Sequence, residues 1–330
     1  MFKKLSILSL ITALIFALLT ACGNSEETNS SSSSEPYTIQ IANLGSTVLQ
    51  LAKQKGWFEE EFAKVNAKVE WTTFQSGTPI VEALASKRAD LGNIGEGAAL
   101  TAIGGKVDIK LISLQSDGLK GISEIIVPKG SNIKQLSDLK GKQIGVGQGT
   151  SNHVFLVKAL KTVGLTKTDV NLINLQVPDA QPAFESGQLD AWVAPDPFAN
   201  VEINKNGAIS IAAGNSLNIG SPMLFFTRGD FAKKHPEAPE IFLRIVEKAT
   251  VYQKEHFDET IQINADATKK DSALLKLTIN NWQDQNSAIS EQTTKELQLS
   301  ADTLLELGYL KEKIDVASYV DSSYLERVKP

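Results

Sequence analysis

The sequence predicts an α/β protein of two similar lobes facing each other across a cleft, and three observations carry that prediction. From Tyr37 onward, short apolar runs alternate with helical patterns, the mark of sheets covered by helices. The segment Ala83-Leu84-Ala85-Ser86-Lys87-Arg88-Ala89-Asp90-Leu91 matches Ala183-Phe184-Glu185-Ser186-Gly187-Gln188-Leu189-Asp190-Ala191 at an offset of 100 residues, each reading as a helix end, a turn and a strand start. The length of 330 residues suits about two domains of roughly 150 residues each.

The composition removes several function classes. Lys plus Arg number 33 against 38 Asp plus Glu, for a formal net charge of -5, which excludes a basic nucleic-acid binder. A single cysteine excludes a disulfide framework and a Cys-rich zinc module. Apolar residues make up 42% of the chain and are spread through it apart from one N-terminal block, which excludes a polytopic membrane protein.

That block comes first in the chain. Lys3 and Lys4 precede an apolar stretch from Leu5 to Leu19, and Leu19-Thr20-Ala21 precede the lone Cys22. A short charged start, an apolar run below the roughly 20 residues of a membrane span and small residues at the end predict a secretory signal over 1–21. The cysteine at its edge resembles a bacterial lipobox, with the cut before Cys22 and lipid on Cys22. Residues 22–36, with Ser30 to Ser34 in a row and no apolar residue after Cys22, predict a flexible tether, because nothing there offsets the entropy of ordering.

The body then reads element by element. Strands are predicted at Thr38 to Asn43, Lys68 to Thr73, Leu91 to Ile94 and Ile109 to Leu114. Helices fall between them, from Val48 to a stop at Gly56, after a Thr78-Pro79 start to Ser86, and from Gly97 to Ile103. Ile122 to Val127 crosses into a second lobe, with strands at Gln143 to Val146, Val170 to Leu175 and Ala191 to Ala194, and helices at Ser151 to Val163 and Gln181 to Ser186. Met223 to Thr227 is a strand again. Beyond it Pro239 to Glu255, Ser272 to Trp282 and Glu291 to Leu307 space their apolar residues as helices do, and Gly308 stands at a C′ position. The predicted division is lobe I over 37–121 and 219–330, and lobe II over 122–218.

Catalytic motifs are missing from this chain. It carries no Gly-x-Ser-x-Gly elbow, no phosphate-cradling Gly-Lys loop and no ligand spacing among His153, His235 and His256. Binding signals are present instead. Gly145-Val146-Gly147-Gln148-Gly149-Thr150-Ser151 ends a strand, lets backbone approach a ligand at Gly149, and opens a helix with Thr150 and Ser151. The unpaired N–H groups and positive dipole end there suit an oxyanion, although the two hydroxyls also read as simple helix caps. Asn43, Gly45 and Ser46, then Gln75, Ser76 and Gly77, then Gln115, put glycines and short donors at further strand ends. The offset repeat sets Glu96 opposite Asp196, each just past a strand's carboxyl end, where ligands bind in open α/β sheets. Asp196-Pro197 reads equally as a helix cap, and Trp192 as core or as cleft wall. The candidate loops contain no Lys or Arg.

The order of these parts, with Gln135-Leu136-Ser137-Asp138-Leu139-Lys140-Gly141-Lys142 before a strand, Asp190-Ala191-Trp192 before Asp196-Pro197, and Gly149-Thr150-Ser151-Asn152-His153, resembles the substrate-binding lipoproteins of ABC importers, in the aliphatic-sulfonate, taurine and nitrate group. Gly229 to Glu237 is similar to the taurine binders. The resemblance runs from Tyr37 to about Tyr324. It implies a two-lobed periplasmic-binding-protein-like type II fold with lobes joined by two crossings and closing on the ligand. It also implies no metal, no cofactor and no chemistry, a permease and its ATPase as partners, and a place on the outer face of the bacterial cytoplasmic membrane, held by the Cys22 lipid alone. Thr150 and Ser151 would hold sulfonate oxygens, while Glu96 and Asp196 would select the other end, an ammonium if both line the cleft. Sulfonate binders commonly carry tryptophan where Pro195 stands, and a shorter residue where Glu96 stands. Nitrate or bicarbonate, a thiamine pyrimidine precursor, and an enzyme on the same fold are the alternatives. The enzymes of this kind use a catalytic cysteine, and the body from Gly23 on has none.

Overall fold

The structure, a computed structural model, describes residues 35–120 and 122–328. The signal, Cys22 and nearly all of the tether lie outside the described residues. Residues from Pro36 on form one compact unit built on two five-stranded sheets.

The first sheet contains β1 (Tyr37–Asn43), β2 (Ala67–Thr73), β3 (Leu91–Gly95), β4 (Ile109–Ser116) and β10 (Met223–Arg228), in the order β2-β1-β3-β10-β4. The second contains β5 (Ser123–Val127), β6 (Gln143–Val146), β7 (Asn171–Asn174), β8 (Ala191–Pro195) and β9 (Ile209–Ala213), in the order β7-β6-β8-β5-β9. Within each sheet four strands run in one direction, and the strand that has just crossed from the other sheet inserts antiparallel to them, β10 between β3 and β4 and β5 between β8 and β9. Two crossings, 117–122 and 214–222, therefore join the sheets. Gly118 takes φ 69° where the crossings touch, and a Cβ there would stand 2.1 Å from the Ser221 carbonyl oxygen, so only glycine lets them pass this closely.

Helices cover both faces of each sheet. The first carries α1 (Thr47–Gln54), α2 (Trp57–Ala63), α3 (Gly77–Ala85) and α4 (Glu96–Gly104), and the second carries α5 (Ser151–Lys161) and α6 (Val177–Glu185). The C-terminal part adds α7 (Glu237–Glu255), α8 (Phe257–Thr268), α9 (Ser272–Trp282) and α10 (Glu291–Glu306). β3 is buried along its whole length and β8 along all but its last residue, as expected of parallel strands covered on both sides.

The offset repeat is structural. α3 with β3 and α6 with β8 share their bounds at that offset. In each half an aspartate ties the turn to the neighbouring strand: Gln40 N–H donates to Asp90 Oδ2 at 2.8 Å, and Gln143 N–H to Asp190 Oδ2 at 2.8 Å. The predicted strands agree with the structure to within about two residues. Among the elements not anticipated, β9 is half exposed and shows no buried alternation, α2 starts directly after Gly56, α8 fills a stretch given no element of its own, and a short helix spans Gly229–Lys234. The α3 start also differs from the Thr78-Pro79 cap: Ser76 is the N-cap, and Thr78 and Pro79 fall in the first turn, where the missing proline N–H costs nothing.

Candidate functional site

A cavity of about 530 Å³ opens at the carboxyl ends of the strands of both sheets, the usual place for a ligand in such sheets. Its wall is apolar over much of its area, with Leu44, Phe74, Leu175, Phe198, Met223 and Leu275 facing in.

One end is built from helix N-termini. α3, α4 and α5 converge there because three residues lack a side chain. A Cβ on Gly77 would lie 2.5 Å from Ala98 Cβ, one on Gly95 2.6 Å from Ser151 Oγ, and one on Gly97 2.2 Å from the Thr150 carbonyl carbon. The last two contacts join the first sheet's helix α4 to the second sheet's helix α5. Gly97 N–H donates to Ser151 Oγ at 3.2 Å, and Thr101 Oγ1 donates to the Gly149 carbonyl at 3.1 Å. The α3 and α5 starts offer unpaired N–H groups, all three helices bring the positive end of a dipole, and at α4 the first two N–H groups are already used, Glu96 N–H donating to the Pro222 carbonyl at 2.9 Å and Gly97 N–H to Ser151. Ser151 Oγ, already an acceptor from Gly97, keeps its own proton for a ligand. Thr150 stands at the N-cap of α5, but its Oγ1 donates to the Gly147 carbonyl at 2.6 Å and accepts no N–H from the helix, so the position is the expected one and the hydroxyl is not the cap.

The other candidates sort into cavity wall and support. Gly45, Gln75, Ser76, Gly77, Thr150 and Ser151 line the cavity, as do Asn43, Ser46, Trp192 and Asp196. Asn43 and Ser46 spend their polar atoms on the loop itself. Asn43 Oδ1 accepts Ser46 N–H at 2.7 Å, and Ser46 Oγ accepts from Gln115 Nε2 at 3.0 Å and from Leu49 N–H at 3.3 Å. Gln115, Glu96 and Gly149 are not on the wall. Gln115 lies one layer behind, donating to Asp284 Oδ1 at 2.7 Å and accepting from Asn93. Gly149 turns its carbonyl toward Thr101, away from the cavity.

Glu96 departs furthest from expectation. Its Oε2 accepts from Ser300 Oγ at 2.7 Å, and Lys158 Nζ in turn donates to Ser300 Oγ at 2.7 Å. Being the first residue of α4, its side chain points back toward α10 and away from the cleft. Burial raises its pKa, while Lys158 and the Ser300 hydrogen bond lower it. The symmetry that paired it with Asp196 thus holds for the backbone but fails for the side chain.

Asp196 does face the cavity, and it does not cap. The short helix after it, Phe198–Val201, has Pro197 at its N-cap, and Asp196 Oδ1 instead accepts from Asn200 Nδ2 at 2.6 Å. Only 5% of Asp196 is exposed, and burial pushes its pKa up to about 6, against the Asn200 amide, the Thr278 hydroxyl and the Lys270 charge. For Trp192 both readings hold, since its ring packs 5.9 Å from Phe184 and also borders the cavity. His153, which the resemblance brought forward, is buried against Tyr309 and accepts Gly149 N–H at Nδ1. Burial lowers its pKa to about 4, so it is neutral and braces the turn.

Several wall residues were missed. Leu275, Thr278 and Trp282 of α9 face the cavity at positions i, i+3 and i+7, a spacing that read only as core. Asn152 stands beside Ser151, its Oδ1 taking the Ser123 hydroxyl at 2.7 Å. Lys53 and Lys270 also reach the wall, from outside the candidate loops, which themselves hold no Lys or Arg. Nothing in the local sequence marks Lys270, which lies far from every candidate loop. Among the described residues no group of three or more His, Cys, Asp or Glu is arranged to hold a metal ion, and no helix is long and apolar enough to cross a membrane.

A family profile described as NMT1/THI5 like matches residues 43–260, the stretch that holds both sheets' cleft loops. The chain belongs to the NMT1/THI5-like family. A Bacillus subtilis (strain 168) protein named for aliphatic-sulfonate binding is 36% identical over 320 residues, 97% of this chain and 96% of its own. The taurine-binding periplasmic protein of Escherichia coli (strain K12) is 34% identical over 56% of this chain and 58% of its own. Among solved structures, the alkanesulfonate-binding protein SsuA from Xanthomonas axonopodis pv. citri, bound to MOPS, is 26% identical with a TM-score of 0.80, covering 87% of this chain and 99% of that one. The family fold is the two-lobed binding-protein architecture that the sequence predicted.

Proposed function

We propose that this chain is an extracytoplasmic solute-binding protein of an ABC import system, and that it captures aliphatic sulfonates and delivers them to a permease and its ATPase. The observation that carries the reading is the pairing of an uncharged donor pole with an apolar cavity. The N-termini of α3 and α5 and the Ser151 hydroxyl supply hydrogen-bond donors at one end, and a wall of Leu, Phe, Trp and Met side chains supplies the rest. A sulfonate has three oxygens that only accept, and an alkyl tail that gains by leaving water. The sulfonate-binding relatives support the same assignment.

The pole would seat the sulfonate with Ser151, while Thr150 commits its hydroxyl and N–H to the Gly147 carbonyl and braces the turn, and lobes 37–121 with 219–330 and 122–218 would close over it. Nitrate and bicarbonate fit less well on size, because a four-atom anion leaves most of about 530 Å³ unfilled. We propose no reaction. Neither the Thr150 nor the Ser151 hydroxyl is hydrogen-bonded to a basic side chain, so neither is set up as a nucleophile. Lipid on Cys22 would hold the protein at the outer face of the membrane, a point that labelling with a fatty acid would test through loss of label in Cys22→Ala.

The test of function is a thermal-shift panel with ethanesulfonate, longer alkanesulfonates, taurine, sulfate, nitrate, bicarbonate and a thiamine pyrimidine precursor. A ligand at about 100 times its Kd stabilises by roughly 2.7 kcal/mol. Shifts confined to sulfonates support the reading, whereas a shift only with the pyrimidine or nitrate refutes it.

A further inference from the structure

Behind the cavity wall lies a buried carboxylate that the sulfonate reading does not use. Asp284 stands in the link between α9 and α10, only 3% exposed and off the wall itself. Its Oδ1 accepts from Gln115 Nε2 at 2.7 Å, and its Oδ2 accepts from Thr47 Oγ1 at 2.9 Å and from Gln253 Nε2 at 3.2 Å. Thr47 Oγ1 also lies 2.9 Å from Gln253 Oε1, closing a triangle of Thr47, Gln253 and Asp284. All these donors are neutral. A buried carboxylate held by dipoles alone is a costly way to stabilise a fold.

What the donors hold in turn is the ligand site. The turn between β1 and α1 puts Leu44, Gly45, Ser46 and Thr47 on the cavity wall. Its side-chain braces lead to Asp284. Leu44 N–H donates to Asn93 Oδ1 at 2.7 Å, Asn93 Nδ2 donates to Gln115 Oε1 at 3.0 Å, and Gln115 Nε2 then faces both Ser46 Oγ at 3.0 Å and the carboxylate. A backbone N–H can only donate, so it fixes the orientation of each amide along this chain, and the last amide needs an acceptor at position 284. The other end of the link leads to the cavity as well. Gln283 takes φ 47° directly after Trp282, which ends α9 and lines the wall with Leu275 and Thr278. One side chain thus joins two wall segments, and its partner Thr47 lies 237 residues away in sequence.

Resting on the sulfonate reading, we propose that Asp284 is a positioning residue for the ligand site, fixing the Leu44–Thr47 turn against α9 so that both parts of the wall are set before a ligand arrives. A wall ordered in advance loses less freedom on binding, and affinity gains by that amount. A part in stability alone would lower the melting temperature and leave the affinity of the folded protein unchanged.

The polarity of the network predicts its own rescue. Asp284→Asn turns an N–H either toward Gln115 or toward Thr47 and Gln253, where donors already stand. Adding Gln115→Glu removes the conflict: the introduced carboxylate accepts from Asn93, from Ser46 and from the new amide at 284, whose oxygen still serves Thr47 and Gln253. Titration calorimetry with ethanesulfonate on the full mature chain, at a temperature where melting curves show each protein folded, compares the natural protein, Asp284→Asn, Gln115→Glu and the double variant. Asp284→Asn is expected to weaken binding about tenfold or more, and the double variant to recover most of that loss. Asp284→Asn that binds within about twofold of the natural protein, or a double variant that binds no tighter than Asp284→Asn, overturns the proposal while sulfonate binding stands. Should Asp284→Asn fail to fold, Gln253→Leu decides: Gln253 is off the wall, so a clear loss of affinity in the folded variant supports positioning and a loss below about twofold overturns it. A natural protein that binds neither ethanesulfonate nor any longer sulfonate refutes the functional reading itself.

Discussion

Gly97 shows how much one missing side chain decides. Its position between α4 and the Thr150–Ser151 backbone leaves no room for a methyl group, so Gly97→Ala is expected to force the two helix starts apart. Overpacking of this kind costs about 1–3 kcal/mol, and the affinity for a sulfonate should fall by more than the stability loss alone explains; calorimetry beside thermal melting separates the two. Asp196 gives a second prediction at this scale. Its folded pKa of about 6 lies above the unfolded carboxylate value of 3.8, so the folded state favours the protonated form. Its contribution is fully present below about pH 4 and is lost as pH rises to about 6, an effect of roughly 3 kcal/mol. His153 acts in the opposite sense. Its pKa is lowered from 6.5 to about 4, so its contribution is present above about pH 6.5 and is lost as pH falls through 4. The two offset each other between pH 4 and 6, and the Asp196→Asn variant should therefore show stability that rises more steeply with pH there than the natural protein does. Equal slopes in urea melts across that window would contradict the assignment.

Among the helices, α9 links local chemistry to the site. Asp271 caps it, and its inward face carries Leu275, Thr278 and Trp282 to the cavity. Asp271→Ala is expected to cost about 1 kcal/mol and to weaken ligand binding, because the cap also fixes the link that holds Lys270. Ser290, whose Oγ accepts Thr293 N–H at 3.0 Å, caps α10 in the same way, but neither residue borders the cavity. Ser290→Ala should therefore cost similar stability and leave affinity unchanged, which calorimetry on both variants would check. The strands and most helices were legible because buried faces impose periods of 2 and 3.6 on their residues. β9 was not, because a half-exposed edge strand needs no such pattern. α9 was read as a helix, but its apolar stripe looks the same whether it faces a core or a ligand.

The whole molecule joins two sheets by two crossings and by contacts between α5 and the α4 and α10 helices. Lys158 reaches Ser300 on α10, Lys161 pairs with Glu306 at 2.8 Å, and Lys167 Nζ donates to the Leu307 carbonyl at 2.9 Å. The exposed Lys161–Glu306 pair contributes little, whereas the Lys158–Ser300–Glu96 chain is buried at its carboxylate end. A ligand that binds both lobes must favour the arrangement in which both touch it. Saturating ethanesulfonate is therefore expected to lower the radius of gyration in solution scattering, and an unchanged scattering curve with ligand bound would contradict closing.

By itself the sequence determined the alternation of strands and helices, the repeat that builds both halves and the Gly-rich turn opening α5, since each is a local pattern that neighbouring residues impose. Of the candidate residues it named, the structure brings Gln75, Ser76, Ser151 and Asp196 among others to the cavity wall and leaves Glu96, Gln115 and Gly149 off it. Tertiary structure alone decided which way side chains point and what distant segments add. Glu96 and Asp196 occupy matching places in the repeat, yet one turns to α10 and the other to the cavity, because the C-terminal helices cover only one half in that way. Lys270 and Trp282 reach the site from beyond both sheets, and no local pattern records a contact made across more than 70 residues of chain.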